Sequence, residues 1–279
     1  MKPITEMSMD QAAGIRFVLM DIDDTLTTNG KLTTAAYNAM WQLHDAGLKV
    51  IPITGRPAGW CDLIVREWPV DGVVGENGAL VFWESRNNEM TGVSGTVMEE
   101  FHPNAIRNDH PVLQKVKDRV ITEVPGIRLA KDQFSRLFDI ALDFAEEDPV
   151  LPLSAAERVK AIALEEGAEA KISSIHVNVW MGNYNKLSMA ERFLQKVFDW
   201  QSCQSRDYQS RDDYSVLFVG DSPNDEPMFA RFPLACGVAN INRYKGLIQH
   251  LPAFISQKES GQGFAEIAET LLNLTTYIK

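Results

Sequence analysis

Phe17–Met20 (FVLM) is four consecutive apolar residues, the pattern of a strand covered on both faces inside a parallel sheet. From Leu32 to Ala46 the period changes: Ala36, Ala39, Met40 and Leu43 fall on one face of a helix, and Gly47 is placed to end it. Lys49–Ile53 then reads as the next strand, completing one βαβ unit. A helix over about Pro57–Trp68, with proline suited to its first turn, and a third strand at Gly72–Val74 continue the pattern. The far end of the chain repeats it: strand Ser215–Val219, helix Glu226–Arg231, strand Leu234–Val238 and a closing helix around Phe264–Leu274. Both ends predict a doubly wound, mostly parallel, Rossmann-like α/β core.

The middle follows a period of two. In LFDIALDF, Phe138, Ile140, Leu142 and Phe144 share one face while Asp139, Ala141 and Asp143 share the other. In SSIHVNVW, Ile175, Val177 and Val179 stand opposite Ser174, His176, Asn178 and Trp180. Such strands suit an antiparallel sheet with one face covered by helices, here the stretches near Pro111–Val120 and Ser154–Leu164. Residues 85–185 are therefore expected to form an inserted α+β domain, and residues 1–84 with 186–279 the core. QSRDYQSRDDY, before the strand at Ser215, is an imperfect polar repeat and reads as a duplicated surface loop.

Composition narrows the class. The chain has 279 residues, 45% of them hydrophobic, enough for two ordinary domains. It has neither the apolar run of a membrane helix nor the h-region of a signal peptide, so a cytoplasmic setting is expected. Cys61, Cys203 and Cys236 are odd in number and widely spaced, which suggests idle thiols rather than disulfides or a zinc site. The net charge of -11 argues against nucleic-acid or anionic-membrane partners. An anionic substrate would have to be drawn by a local cluster or a bound cation.

In open parallel sheets ligands bind beyond the carboxyl ends of the strands. There this chain places Asp21-Ile22-Asp23-Asp24-Thr25, then Thr54-Gly55-Arg56-Pro57, then Gly220-Asp221-Ser222-Pro223-Asn224-Asp225. Carboxylates gathered at one sheet edge call for a hard cation with oxygen ligands, for which magnesium is the natural candidate. No GxGxxG follows the first strand, which disfavours a dinucleotide-binding dehydrogenase.

This ordered set, with Lys186 downstream, resembles the motifs of the haloacid dehalogenase (HAD) superfamily of aspartate-nucleophile phosphatases. A cap inserted between the second and third motifs resembles the type IIB branch with its C2B caps: the Cof-like sugar phosphatases, the sucrose-phosphate, trehalose-phosphate and mannosylphosphoglycerate phosphatases, and the phosphomannomutases. The resemblance implies Asp21 as nucleophile and Asp23 as the acid and base that protonates the leaving oxygen and then activates water. It implies Mg2+ held by Asp21, Asp221 and the main-chain carbonyl of Asp23, with Asn224 or Asp225 orienting those ligands. Thr54 would hydrogen-bond a phosphoryl oxygen, Gly55 would let backbone N–H approach it, and Lys186 would neutralise phosphoryl group and nucleophile. Arg56 would bind acidic neighbours or the substrate's phosphate edge, and Asn77 in GENGAL would lie by the entrance. Asp24 is expected only to shape the turn.

If the two alternating strands are neighbours, Asp139, Asp143, His176 and Asn178 project from one face and form a polar roof suited to sugar hydroxyls. A substrate carboxylate would instead call for Arg136 or Lys131. The expected activity is hydrolysis of a small phosphorylated metabolite, a sugar or polyol phosphate, by a monomer or homodimer. The alternative is a phosphomutase that returns the phosphoryl group to the sugar.

Overall fold

The computed structural model describes residues 1–85, 95–201 and 212–276. Its central sheet has six parallel strands in the order Lys2–Pro3, Phe254–Ile255, Cys236–Gly237, Val216–Gly220, Phe17–Met20, Lys49–Pro52. Side chains of the Phe17–Met20 strand alternate between two hydrophobic cores. Val18 and Met20 pack with the helices Thr34–Asp45 and Ser260–Thr276, whereas Phe17 and Leu19 pack with Lys186–Phe198 and Glu226–Arg231. All four residues are buried, which is why the strand is uniformly apolar. Its neighbours, Lys49–Pro52 and Val216–Gly220, come from opposite ends of the chain. Its carboxyl end is therefore the point where crossovers diverge.

A parallel bridge from Ile53 to Val74 joins this sheet to an antiparallel trio, Val73–Gly75, Leu80–Ser85 and Thr96–Phe101. The Thr96–Phe101 strand lies within the segment expected as insert, but it pairs along its whole length with Leu80–Ser85 and packs Val97 and Phe101 on the first core. The expected strand Leu234–Val238 shrinks to Cys236–Gly237; Pro233 just before it lacks the N–H a ladder needs. The closing helix starts earlier than its apolar period suggests, at Ser260. There Gly261 fits because a Cβ would lie 2.6 Å from the Leu26 carbonyl oxygen.

The cap sheet is antiparallel, in the order Glu169–Ile172, His176–Trp180, Asp139–Asp143, Arg128–Leu129. Helices Pro111–Glu123 and Leu153–Glu165 cover one face, closing a third core around Ile140, Leu142, Val177 and Val179. Asp139 pairs with Trp180, Ala141 with Asn178 and Asp143 with His176, so these six residues share the other face. That face is not solvated: all six are buried. Cys61 and Cys236 are buried free thiols, whereas Cys203 and most of the polar repeat lie outside the described residues. No helix among the described residues is long and apolar enough to cross a membrane.

Candidate active site

Asp21 follows the last residue of the Phe17–Met20 strand, its N–H donating to the Val219 carbonyl across the sheet. Lys186 opens its helix at the first turn, where Asn185 and Ser188 form a reciprocal capping box. From there its Nζ donates to Asp21 Oδ1 at 2.6 Å and to Asp225 Oδ1 at 2.8 Å. Asp225 Oδ2 accepts from the Asp221 and Ser222 N–H groups. This contact needs Gly220, since a Cβ there would lie 2.5 Å from Asp225 Oδ2. Asp221 accepts from Thr25 Oγ1 at 3.3 Å and from Asn240 Nδ2 at 3.0 Å.

Carboxylate oxygens of Asp21, Asp221 and Asp225 all lie within 4.8 Å of one another, and all three residues are buried. Burial pushes the Asp21 carboxyl up to about 7, Lys186 pulling against it and Asp225 and Asp23 adding to the rise. Asp221 is raised well above the usual carboxylate range by burial and by the charges of Asp21 and Asp225. Burial would lower Lys186, but Asp21 and Asp225 hold it protonated well above its usual range. Three carboxylates facing one ammonium leave about two negative charges uncompensated out of water, and such a set is stable when a divalent cation sits among them. The donor set, all oxygen, fits a hard divalent metal.

Asp23 points elsewhere. Arg56 Nη2 donates to its Oδ1 at 2.7 Å and Nε bridges both oxygens at 3.1 and 3.0 Å. The guanidinium stacks on Trp60 at 4.3 Å and reaches the cap through Glu146 Oε1 at 3.1 Å. Glu146 in turn bonds His176 Nε2 at 2.9 Å. Those partners, His176 first, hold the Glu146 carboxyl down at about 2. Asp24 adopts φ 57, the left-handed turn conformation, and its carbonyl accepts from Asn240. Thr54 is buried, its Oγ1 accepting from the Arg56 N–H at 3.0 Å. A side chain on Gly55 would press on Asn77, 3.1 Å away, and on Asn178.

Between core and cap is a cavity lined by Asp21, Asp23, Gly55, Arg56, His176 and Asn178 among others; its volume of about 10 Å³ is room for one water molecule. Ser173, Ser174, Ser222 and Asn224 also line it, and all four continue into a wider cleft of about 550 Å³ toward Phe144, Lys160, Lys171 and Tyr244.

The four cap residues expected as a roof divide. His176 and Asn178 line the cavity, whereas Asp139 and Asp143 are engaged by the cap's own residues and do not. Asp139 accepts from Arg136 Nη1 and from Asn178 Nδ2, and Asp143 accepts from Arg128 Nε and the Glu146 N–H. Arg136 is spent as well, on Asp139, Asp132 and the Gly55 carbonyl. Lys131 is exposed and bonded to Glu147. Asn77 is buried in a left-handed turn, and its Nδ2 has no hydrogen-bond partner among the described residues.

Sequence reasoning passed over three residues. Asn240, three residues past the Cys236–Gly237 strand, links Asp221 to the Asp24 turn; an amide at a strand exit on the active edge was the available signal. Glu146 sits just after the Asp139–Asp143 strand with nothing local to distinguish it. Glu76, within GENGAL, is fully buried; Oε1 accepts from the N–H groups of Ala58 and Leu137, Oε2 from those of Phe138 and Asp139. Burial and the Asp139 charge raise its carboxyl to about 7 against the lowering pull of the Leu137, Phe138 and Ala58 N–H groups. With both oxygens occupied by donors, the geometry is that of an ionised carboxylate.

The family model of haloacid dehalogenase-like hydrolases matches residues 18–267. A phosphoglycolate phosphatase of Methanobrevibacter smithii is 34% identical over 254 residues, covering 90% of this chain and 96% of that protein. Among solved structures, a Thermoplasma acidophilum protein superposes with a TM-score of 0.65 at 19% identity, covering 93% of this chain and 99% of its own. A HAD subclass IIB sugar phosphatase superposes with a TM-score of 0.59 at 12% identity, covering 93% and 99%. With the Phe17–Met20 strand leading into the acidic edge and the inserted α+β segment in this arrangement, the chain belongs to the haloacid dehalogenase-like hydrolase family, has the fold of its type IIB members, and is a phosphoric monoester hydrolase.

Proposed function

We propose that the protein is a magnesium-dependent phosphatase that hydrolyses a small phosphorylated metabolite through an aspartyl-phosphate on Asp21. The observation that carries this reading is the buried cluster of Asp21, Asp221 and Asp225 around Lys186, an excess of negative charge that a divalent cation offsets. The residues fit the metal: Asp21, Asp221 and the Asp23 main-chain carbonyl would hold it, with Asp225 and Asn224 keeping the loop in place. Bound there, magnesium supplies neutralisation of charge between nucleophile and phosphoryl oxygens.

The rest of the chemistry belongs to side chains. The ester's phosphoryl group sits against Lys186, the Thr54 hydroxyl and the backbone beside Gly55. Thr54 Oγ1 already accepts from the Arg56 N–H, which leaves its own hydrogen to donate. An Asp21 carboxylate oxygen attacks phosphorus as the bond to the ester oxygen breaks, and Asp23 delivers the proton that the leaving alkoxide takes up. Asp23, now the base, removes a proton from water as it attacks the aspartyl-phosphate, which releases inorganic phosphate and restores Asp21. The cap, built on the four-stranded sheet from Arg128–Leu129 to His176–Trp180 and its two helices, excludes bulk water during the first half and lets the alcohol leave before the second.

The leaving group we favour is a sugar or polyol. His176 and Asn178 offer polar edges to the cavity, both arginines beside it are already paired, and the adjoining cleft is large enough for a sugar. A second reading, phosphoglycolate, is supported by the name of the 34% identical relative. A panel of phosphomonoesters that includes sugar phosphates and phosphoglycolate, assayed with magnesium and with EDTA beside Asp21→Asn, tests the proposal. Phosphate release that survives Asp21→Asn rejects the covalent route; isomerised sugar phosphate without phosphate release identifies a mutase.

A further inference from the structure

Arg56 belongs to the core and Glu146 to the cap, and their ion pair is the contact through which the cap reaches Asp23. The guanidinium is fixed on every side. Trp60 lies under it, Asp23 takes its Nε and Nη2, Glu146 takes Nη1, and Asp132 stands 3.9 Å from that same nitrogen. Glu146 is fixed too, between His176 Nε2 and, through its own N–H, Asp143. A planar fork can hold a carboxylate in one orientation only while its own plane is set. Here one edge of the fork meets the proton carrier and the other a cap carboxylate. Asp23 Oδ1 receives two of the three contacts and Oδ2 one, so the two oxygens are not equivalent.

We propose that Glu146 is a positioning residue for catalysis: with the cap closed it sets the plane of Arg56, and Arg56 in turn aims the Asp23 carboxyl at the leaving oxygen. Glu146 makes no contact with the reacting atoms. Its effect is confined to the step in which the leaving oxygen needs a proton, so it couples cap closure to proton delivery. This rests on the reading of Asp23 as proton carrier given above.

The consequence is a dependence on the leaving group. An alkyl phosphate expels a strongly basic alkoxide that needs the proton from Asp23; p-nitrophenyl phosphate expels a weakly basic phenolate that does not. We expect Glu146→Gln to lower kcat/KM for the fastest alkyl ester of the panel by about tenfold or more, and that for p-nitrophenyl phosphate by less than about twofold, since general acid catalysis as a whole contributes about 10²–10⁴-fold. Because Glu146 acts through Arg56, the double variant Arg56→Lys with Glu146→Gln should lose no more on the alkyl ester than Arg56→Lys alone. Glu146 is part-exposed at the seam, and turnover of the aryl ester reports that the variant folds. Equal losses on both esters, or additive losses in the double variant, overturn the inference while leaving the phosphatase reading intact. Wild-type protein that turns over neither ester overturns both.

Discussion

Replacing Glu76 by glutamine tests whether one core carboxylate staples the cap to the core. Glu76 lies in the turn between Val73–Gly75 and Leu80–Ser85, yet three of its four donors, the N–H groups of Leu137, Phe138 and Asp139, begin the central cap strand; the fourth, from Ala58, begins a core helix. Glutamine has the same shape but one oxygen fewer. Whichever way it is turned, its NH2 confronts two N–H groups at a site with no solvent exposure. Two hydrogen bonds to a charged acceptor are lost, each with a net worth of about 1.5–3 kcal/mol, and two buried donors stay unsatisfied. The loss works out at about 3–6 kcal/mol, a large share of the roughly 5–15 kcal/mol that holds a typical domain. Urea titration of wild type and Glu76→Gln, followed by circular dichroism and tryptophan fluorescence, measures it. Trp180 in the cap sheet and Trp60 and Trp83 in the core report on both sides of the seam. We expect a much lower midpoint for the cap signal. A variant within about 1 kcal/mol of wild type would show that water or a backbone shift satisfies the donors, and the staple would be refuted.

Lys186→Met leaves three buried carboxylates without their cation; phosphatase activity should fall by at least about 10³-fold and the metal-free protein should lose about 3–5 kcal/mol, read by progress curves and by urea denaturation in EDTA. Magnesium at about a hundred times its Kd should stabilise the wild type by about 2.7 kcal/mol, seen as a rise of a few degrees in Tm that EDTA reverses and Asp221→Asn abolishes. Gly220→Ala puts a methyl 2.5 Å from Asp225 Oδ2 and should cost at least tenfold in kcat while the Tm changes little with magnesium bound, since the displaced carboxylate is a support rather than a core contact. The Glu146 carboxyl is held at about 2 against an ordinary 4.5, so the stability that its His176 and Arg56 contacts provide is present above about 4.5 and lost as pH falls toward 2. The Tm difference between wild type and Glu146→Gln should therefore hold constant from pH 7 to 5 and close below 4.5; a gap that persists at pH 2 would contradict the assignment.

The core and the acidic edge where the candidate site gathers were legible because their physics is local. A strand buried on both faces has to be uniformly apolar, so FVLM announces itself, and the residues after each strand share an edge by topology alone. The cap's two-residue period likewise identified which side chains face together, and the observed register agrees. Period cannot say what those side chains meet. Asp139 and Asp143 were assigned to the right face, but Arg136 and Arg128, which neutralise them, arrive from a loop and from an edge strand of two residues. Glu76 and Glu146 carry no pattern because their partners are 61 to 63 and 90 positions away for the contacts across the seam. Long-range polar pairing is set by domain docking, and that information is spread over both surfaces rather than written next to either residue.

The aspartates in DIDDT show how docking resolves what looks like self-repulsion. Past Met20 the chain leaves the strand and turns, and the turn separates the carboxylates: Asp21 faces Lys186 and Asp221, while Asp24 is carried away by its left-handed backbone. Asp23 takes a different partner, Arg56, from the exit of the next strand. The same guanidinium is held from the cap by Glu146, so on the proposed reading of Asp23 as proton carrier its carboxyl is aimed by a contact that the cap provides. An enzyme that needs the proton on the ester oxygen only with substrate enclosed would gain from such a linkage, because in the proposed mechanism Asp23 is held while the cap contact lasts and released when that contact is broken.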